Sequence, residues 1–264
     1  MYLGLGLRLG SGTFAGFDAD AAAYFDRAGV TDATAKAQIN AFVKGVKALG
    51  LYNNMVSWPL RSSQNAGTGT TAYSLGGLAT SNGTLTNGPT WVADGVDFDG
   101  SNDHILTGNS FNTAKVIYVS YKNRGSTLAA VCGNYNFNGT NETGYELLHN
   151  GSNSPEMRFY TTANNGRLSS VNCNNGNFHF AMGITNDTAS QISVDGTTGS
   201  FTNLTNPPRL NSTLNFAIGA RPFNGLIPIN AIISFVAIMD LYTTQFDSVR
   251  TLYKTTLGTG LGLP

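Results

Sequence analysis

The 264 residues carry 15 Lys and Arg against 15 Asp and Glu, so the formal charge is zero and only 11% of residues are charged. No basic stripe exists to neutralise phosphates, which excludes the usual route to nucleic-acid binding. The longest apolar run, Ala231 to Met239 with Ser234 inside it, falls far short of the roughly 20 residues of a membrane-spanning helix.

The chain opens on a Gly/Leu-rich arm, residues 1–17. If the arm is extended, Leu3, Leu5, Leu7 and Leu9 share one face and Gly4, Gly6 and Arg8 the other. With Phe14 and Phe17 these leucines are candidates for docking or oligomer formation, a loose sticky tail being the alternative. The arm lacks the cationic start and continuous apolar stretch of a secretory signal, so Sec export is not expected. Residues 18–55 change period: Ile39, Phe42, Val43, Val46 and Leu49 follow helical spacing and form one apolar stripe. Asp18 is a suitable N-cap for a first helix and Thr31 or Asp32 for a second, with Gly29 and Gly50 at their ends. Such a helical hairpin must bury its face against the following sheet or a neighbouring subunit.

From Trp58-Pro59 onward the pattern is of short strands separated by Gly, Asn and Ser turns, among them "AKVIYVSYK", "TLAAVCG", "YELLHNG", "EMRFYTT", "NFHFAMGIT", "SQISVDG" and "AIISFVAIMD". No helix lies between these strands, which disfavours a parallel α/β fold. Near the end, "TTQFDSVRTLYKTTLG" places Phe246, Val249, Leu252 and Tyr253 on one helical stripe, with Thr243 or Thr244 as cap. "TTLGTGLGLP" then repeats the arm's pattern at Leu257, Leu261 and Leu263.

Taken together, "VDFDGSNDHI", "NFHFAMGITNDTASQISVDGTTGS" and "LNFAIGARPFNGLIPINAIISFVAIMDLYTTQFDSVRTLY" resemble, in order and spacing, the strands and closing helix of laminin-G-like, concanavalin A-like jelly rolls. The implied fold is mainly β: a jelly-roll sandwich over residues 56–264, preceded by the helical hairpin and the arm. The combination of "FDADAAAYFDRAGVTD", the jelly roll and "LYKTTLGTGLGLP" is similar to virion-associated proteins of tailed bacteriophages. That resemblance implies a non-enzymatic fibre, spike or decoration protein, assembled in the host cytoplasm into the virion. Its partners would be other virion proteins and copies of itself, a trimer being one symmetric form. The alternative function is a carbohydrate-binding module that recognises a host-surface glycan.

Two stretches bear on that alternative. If Val96 and Phe98 face the core, Asp97 and Asp99 project together from the other face, and with Asn102 and Asp103 they offer hard oxygen donors to Ca²⁺. Asp, Asn and Gly are also what a tight corner between strands selects, and Asp94 just before belongs to the same corner. The loop 133–145 sets Tyr135, Phe137 and Tyr145 among Asn136 and Asn141, a composition suited to sugar contact, to a subunit contact or to an ordinary solvated loop. Hydrolysis is not expected, because jelly-roll glucanases place an aspartate between two glutamates on one strand. In Glu142-Thr-Gly-Tyr-Glu146 that place holds Gly144. His104, His149 and His179 have no paired metal spacing, and Cys132 and Cys173 read as two reduced structural thiols.

Overall fold

Asp18 and Asp32 open two helices in a computed structural model of the chain, which describes residues 16–137, 142–151, 154–160, 164–168, 171–186, 189–199, 202–203, 211–222, 227–242 and 245–264. In α1 (Ala19–Ala28) the Asp18 carboxylate accepts the Asp20 N–H, and the helix stops at Gly29, whose φ of 64° a side chain would disfavour. In α2 (Ala33–Ala48) it is Asp32, not Thr31, that caps, accepting from Ala35 N at 2.7 Å.

The strands follow in chain order. They are β1 (Met55–Pro59), β2 (Thr71–Ala72), β3 (Gly83–Thr86), β4 (Thr90–Val92), β5 (Gly95–Asp99), β6 (His104–Thr107), β7 (Val116–Asn123), β8 (Ala129–Gly133), β9 (Asn136–Phe137) and β10 (Glu142–Thr143). After these come β11 (Tyr145–His149), β12 (Pro155–Tyr160), β13 (Asn164–Leu168), β14 (His179–Asn186), β15 (Ala189–Val194), β16 (Thr197–Thr198), β17 (Thr202–Asn203), β18 (Ala217–Ile218) and β19 (Asn230–Met239). The last element is α3 (Phe246–Thr255). Its N-cap, Gln245, makes no side-chain cap bond, and the expected caps Thr243 and Thr244 lie outside the described residues.

Two antiparallel sheets form a sandwich. The first runs β16-β15-β14-β7-β19-β5-β4, with β1 and β5 sharing one edge of β19 end to end; the second runs β13-β12-β11-β8-β18-β6-β3-β2. Between them lies a core that includes Trp58, Phe98, Ile117, Val119, Tyr121, Tyr145, Leu147 and Phe216. A second core fills the outer face of the first sheet. Tyr24, Ile39, Phe42, Val43 and Val46 of the hairpin and Val249 and Tyr253 of α3 pack there on Val116, Tyr118, Phe180, Phe235, Ala237 and Met239. The C-terminal Leu257, Leu261 and Leu263 join the same layer. The apolar stripe of the hairpin is thus buried within its own chain.

Burial on both faces explains why β7 and β19 read as nearly continuous apolar runs rather than clean alternation. In β19 the parity also changes. Ala231 and Ile233 face the inter-sheet core, and so do Val236 and Ile238, because Ser234 is an extra residue that the pairing with β7 skips. The Ser234 hydroxyl donates to Ser120 O at 3.1 Å and bonds the Tyr253 hydroxyl at 2.9 Å, tying the bulge to α3.

Candidate functional site

The bulge at Ser234 divides the outer face of the first sheet. On one side Phe235, Ala237 and Met239 lie under the helices. On the other, Asn230 and Ile232 pair across the sheet with Asp99 and Asp97, and Thr90 pairs with Asp97. As the alternation of β5 predicts, Val96 and Phe98 are fully buried while Asp97 and Asp99 point outward.

This uncovered half forms an open polar cleft of about 710 Å³ lined by Asn87, Gly88, Thr90, Asp97, Asp99, Asp103, Arg124 and Asn230. Its side chains are held by one another. Arg124, just beyond β7, donates through both terminal nitrogens to the two oxygens of Asp97, and to Phe98 O at 3.2 Å. Asp99 accepts the Ser101 N–H at 2.7 Å, and Asp103 accepts the Asp99 N–H at 3.1 Å. Asn87 donates to Asn102 O at 3.0 Å, closing the rim. Asp103 is 4% exposed, and burial raises its carboxyl above the ordinary value. The Asp99 N–H opposes that shift, and the charges of Asp99 and Asp97 add to it.

Of the expected calcium ligands, Asp97, Asp99 and Asp103 line the cleft together while Asn102 is not among its lining residues. Asp97 is already paired with a guanidinium, and Asp99 and Asp103 each accept a backbone N–H. Asn102 enters the network through its carbonyl oxygen, which also meets His104 Nδ1 at 3.0 Å. Among the described residues no group of three or more His, Cys, Asp or Glu side chains is arranged to hold a metal. Asp94 stands apart, 3.9 Å from Arg61.

The loop 133–145 needs a larger correction. Tyr145 is fully buried, its hydroxyl donating to Phe111 O at 3.0 Å and its ring 6.1 Å from that of Phe216, so it is a core residue. Tyr135 is also buried: the Arg221 guanidinium lies 3.8 Å over its ring, and its hydroxyl donates to Glu142 at 2.9 Å. Asn136 bonds Thr213 at 3.1 Å, Phe137 is 47% exposed, and Asn141 is outside the described residues. Glu146, 1% exposed, takes a two-point bond from Arg221 at 2.8 and 2.6 Å and a third from the Tyr160 hydroxyl. Both glutamates of "ETGYE" are therefore engaged, Glu142 by Tyr135 within the loop and Glu146 by Arg221 and Tyr160. His179 is tied to Asp195 at 2.6 Å and faces Asn175 at 2.9 Å, holding the "VDG" turn. Of the docking residues, Leu3, Leu5, Leu7, Leu9 and Phe14 are outside the described residues. Phe17 is 51% exposed and packs edge-on against Phe25 at 5.1 Å.

Four residues of the cleft, Asn87, Thr90, Arg124 and Asn230, carry no signal in the linear sequence. Arg124 stands in "KNRGST", which looks like any charged turn, and only the β7-β19-β5 register brings it to Asp97, 27 positions away.

No protein-family model and no curated protein matches the chain. Among solved structures, a Trypanosoma rangeli sialidase in complex with 2,3-difluoro-KDN superposes with a TM-score of 0.60 at 12% identity, covering 85% of this chain and 40% of the sialidase. The binding domain of botulinum neurotoxin serotype D gives 0.57 at 8% identity, over 78% of this chain and 52% of that one. The CBM40 of Ruminococcus gnavus IT-sialidase bound to α2,3 sialyllactose gives 0.46 at 9%, over 53% and 82%. At these identities the likeness is one of fold, a β-sandwich of the expected jelly-roll class.

Proposed function

We propose that this protein is a non-enzymatic carbohydrate-binding module whose ligand seat is the polar half of the first sheet's outer face. The observation that carries this reading is the fixed array around Arg124 and Asp97. A sugar presents neighbouring hydroxyls that each donate and accept, and the cleft offers both kinds of partner on rigid strands, oriented before any ligand arrives. The fold also occurs in proteins whose structures hold sugars, such as the sialidase with 2,3-difluoro-KDN. With Asp97, Asp99 and Asp103 set against Arg124 alone, the lining favours neutral glycans over acidic ones.

A glycan screen with and without a chelator tests the proposal. Binding should be to neutral oligosaccharides and unchanged by chelation. Arg124→Ala or Asp97→Ala should weaken it roughly ten- to hundredfold, the worth of about one hydrogen bond to a charged group. Silence of the wild type on every glycan would sink the proposal, and so would variants that bind as well as the parent.

A place for this module on a bacteriophage particle rests on the sequence resemblance alone. Immunogold labelling of purified particles tests it: label on heads or tails supports a virion role, and unlabelled particles remove it.

A further inference from the structure

Leu/Gly-alternating segments flank the fold, and the C-terminal one displays how such a sequence docks. Leu257, Leu261 and Leu263 are buried in the helical layer, while Gly260 and Gly262, at φ of 88° and 67°, turn the backbone between them. The N-terminal arm has the same pattern at Leu3, Leu5, Leu7 and Leu9. It joins the described fold at Phe17 and Asp18, against one flank of α2. There the Asp18 N–H donates to Asn40 at 2.7 Å, and its carboxylate pairs with Lys47 at 2.6 Å.

The opposite flank of α2 carries a groove. It lies between α2 and α3, has a volume of about 520 Å³, and is walled by Leu49, Leu252, Thr251 and Thr255 with Gly45 in its floor. Gly45 brings the helices close, since a Cβ there would stand 2.4 Å from Leu252 Cδ1. Two residues apart on a helix, Lys47 and Gly45 point roughly 200° from each other, so the arm's root and the groove lie on opposite sides of one helix.

We propose that residues 1–9 of the same chain occupy this groove, with their leucines against Leu49 and Leu252. Residues 10–16 span up to about 23 Å when extended, enough to cross a helix about 10–12 Å wide. Charge agrees: Arg8 is the only charged side chain among residues 1–15, and Asp247, an exposed carboxylate with Arg250 Nε as a distant neighbour at 3.8 Å, is the only one in the groove lining. A short tether also raises the arm's local concentration to the millimolar range, so at micromolar protein the arm of the same chain outcompetes that of a second copy.

The test uses the full chain carrying Leu7→Cys and Thr251→Cys. The native Cys132 and Cys173 are buried and should stay silent. Oxidation with copper phenanthroline at micromolar concentration should give a monomer with an intrachain link between the new cysteines. Linked dimers would instead mean exchange of arms between copies, and two unlinked thiols would mean no docking; either overturns the proposal. As a second measurement, Leu5→Asp with Leu7→Asp in the arm, and separately Thr251→Lys on the exposed wall of α3, should each speed amide exchange over residues 248–255 about tenfold. Exchange unchanged in both variants refutes it even if the cysteine pair fails to fold.

Discussion

Acidification should destabilise this protein through one histidine. His149 closes β11 with its ring fully buried, its Nε2 accepting from Asn123 Nδ2 at 2.9 Å and its Nδ1 3.5 Å from the Tyr121 hydroxyl. Burial, and secondarily the charge of His179, lower its pKa from 6.5 to about 4. A proton on Nε2 would also point at an amide donor. Between those two values the unfolded chain binds a proton that the native state refuses, so stability rises with pH across the window and is lost as pH falls from 6.5 toward 4. Integrating that difference gives a loss of about 2 kcal/mol at pH 5 and about 3 kcal/mol at pH 4. Guanidinium unfolding of wild type and His149→Gln at pH 7, 6 and 5 isolates this from the carboxylates, which both proteins share. Glutamine can still accept from Asn123 but does not titrate. The wild type should lose about 2 kcal/mol more than the variant between pH 7 and pH 5. Parallel pH profiles would refute the assignment.

Removing Arg221 tests a different buried charge. Arg221→Met leaves Glu146, 1% exposed, without its counter-ion, and should cost about 3–5 kcal/mol in urea unfolding. Replacing Glu146 by Leu as well should recover a large part of the loss, and a single-variant cost below about 1 kcal/mol would contradict the burial argument. The thiols offer a direct probe of the core: burial pushes Cys173 up to about 12 and Cys132 higher than its ordinary value, with the charge of Glu146 adding to the latter. Neither should react with a thiol reagent on the native protein at pH 8, and both should react once it is unfolded; stoichiometric labelling of the native state would place a thiol at the surface.

Local pattern and long-range register were unequally legible. The hairpin was visible because Ile39, Phe42, Val43 and Val46 repeat at helical spacing with a capping Asp before each helix, and all of that is local. The inward turn of Val96 and Phe98 follows likewise from the period of a strand. Tyr145 misleads because it starts a strand at the end of a polar loop, and one residue decides whether a ring enters the core or faces solvent. The partners of the cleft and of the buried ion pair are hidden for another reason. Arg124 meets Asp97 across 27 positions and Arg221 meets Glu146 across 75, distances that only the assembled sheets shorten.

The position of the cleft follows from the placing of apolar and polar residues on one long strand. Had β19 kept strict alternation from Asn230 to Met239, the residues sharing a face with Asn230 and Ile232 would be Ser234, Val236 and Ile238, and Phe235 and Met239 would turn into the inter-sheet core. The extra residue at Ser234 changes the parity, so that Phe235, Ala237 and Met239 meet the helices while Asn230 stays beside Asp99. Tyr253 of α3 holds that residue by its hydroxyl. The helical layer therefore does more than cover apolar surface: it fixes the boundary at which the same sheet face passes from core to open polar cleft.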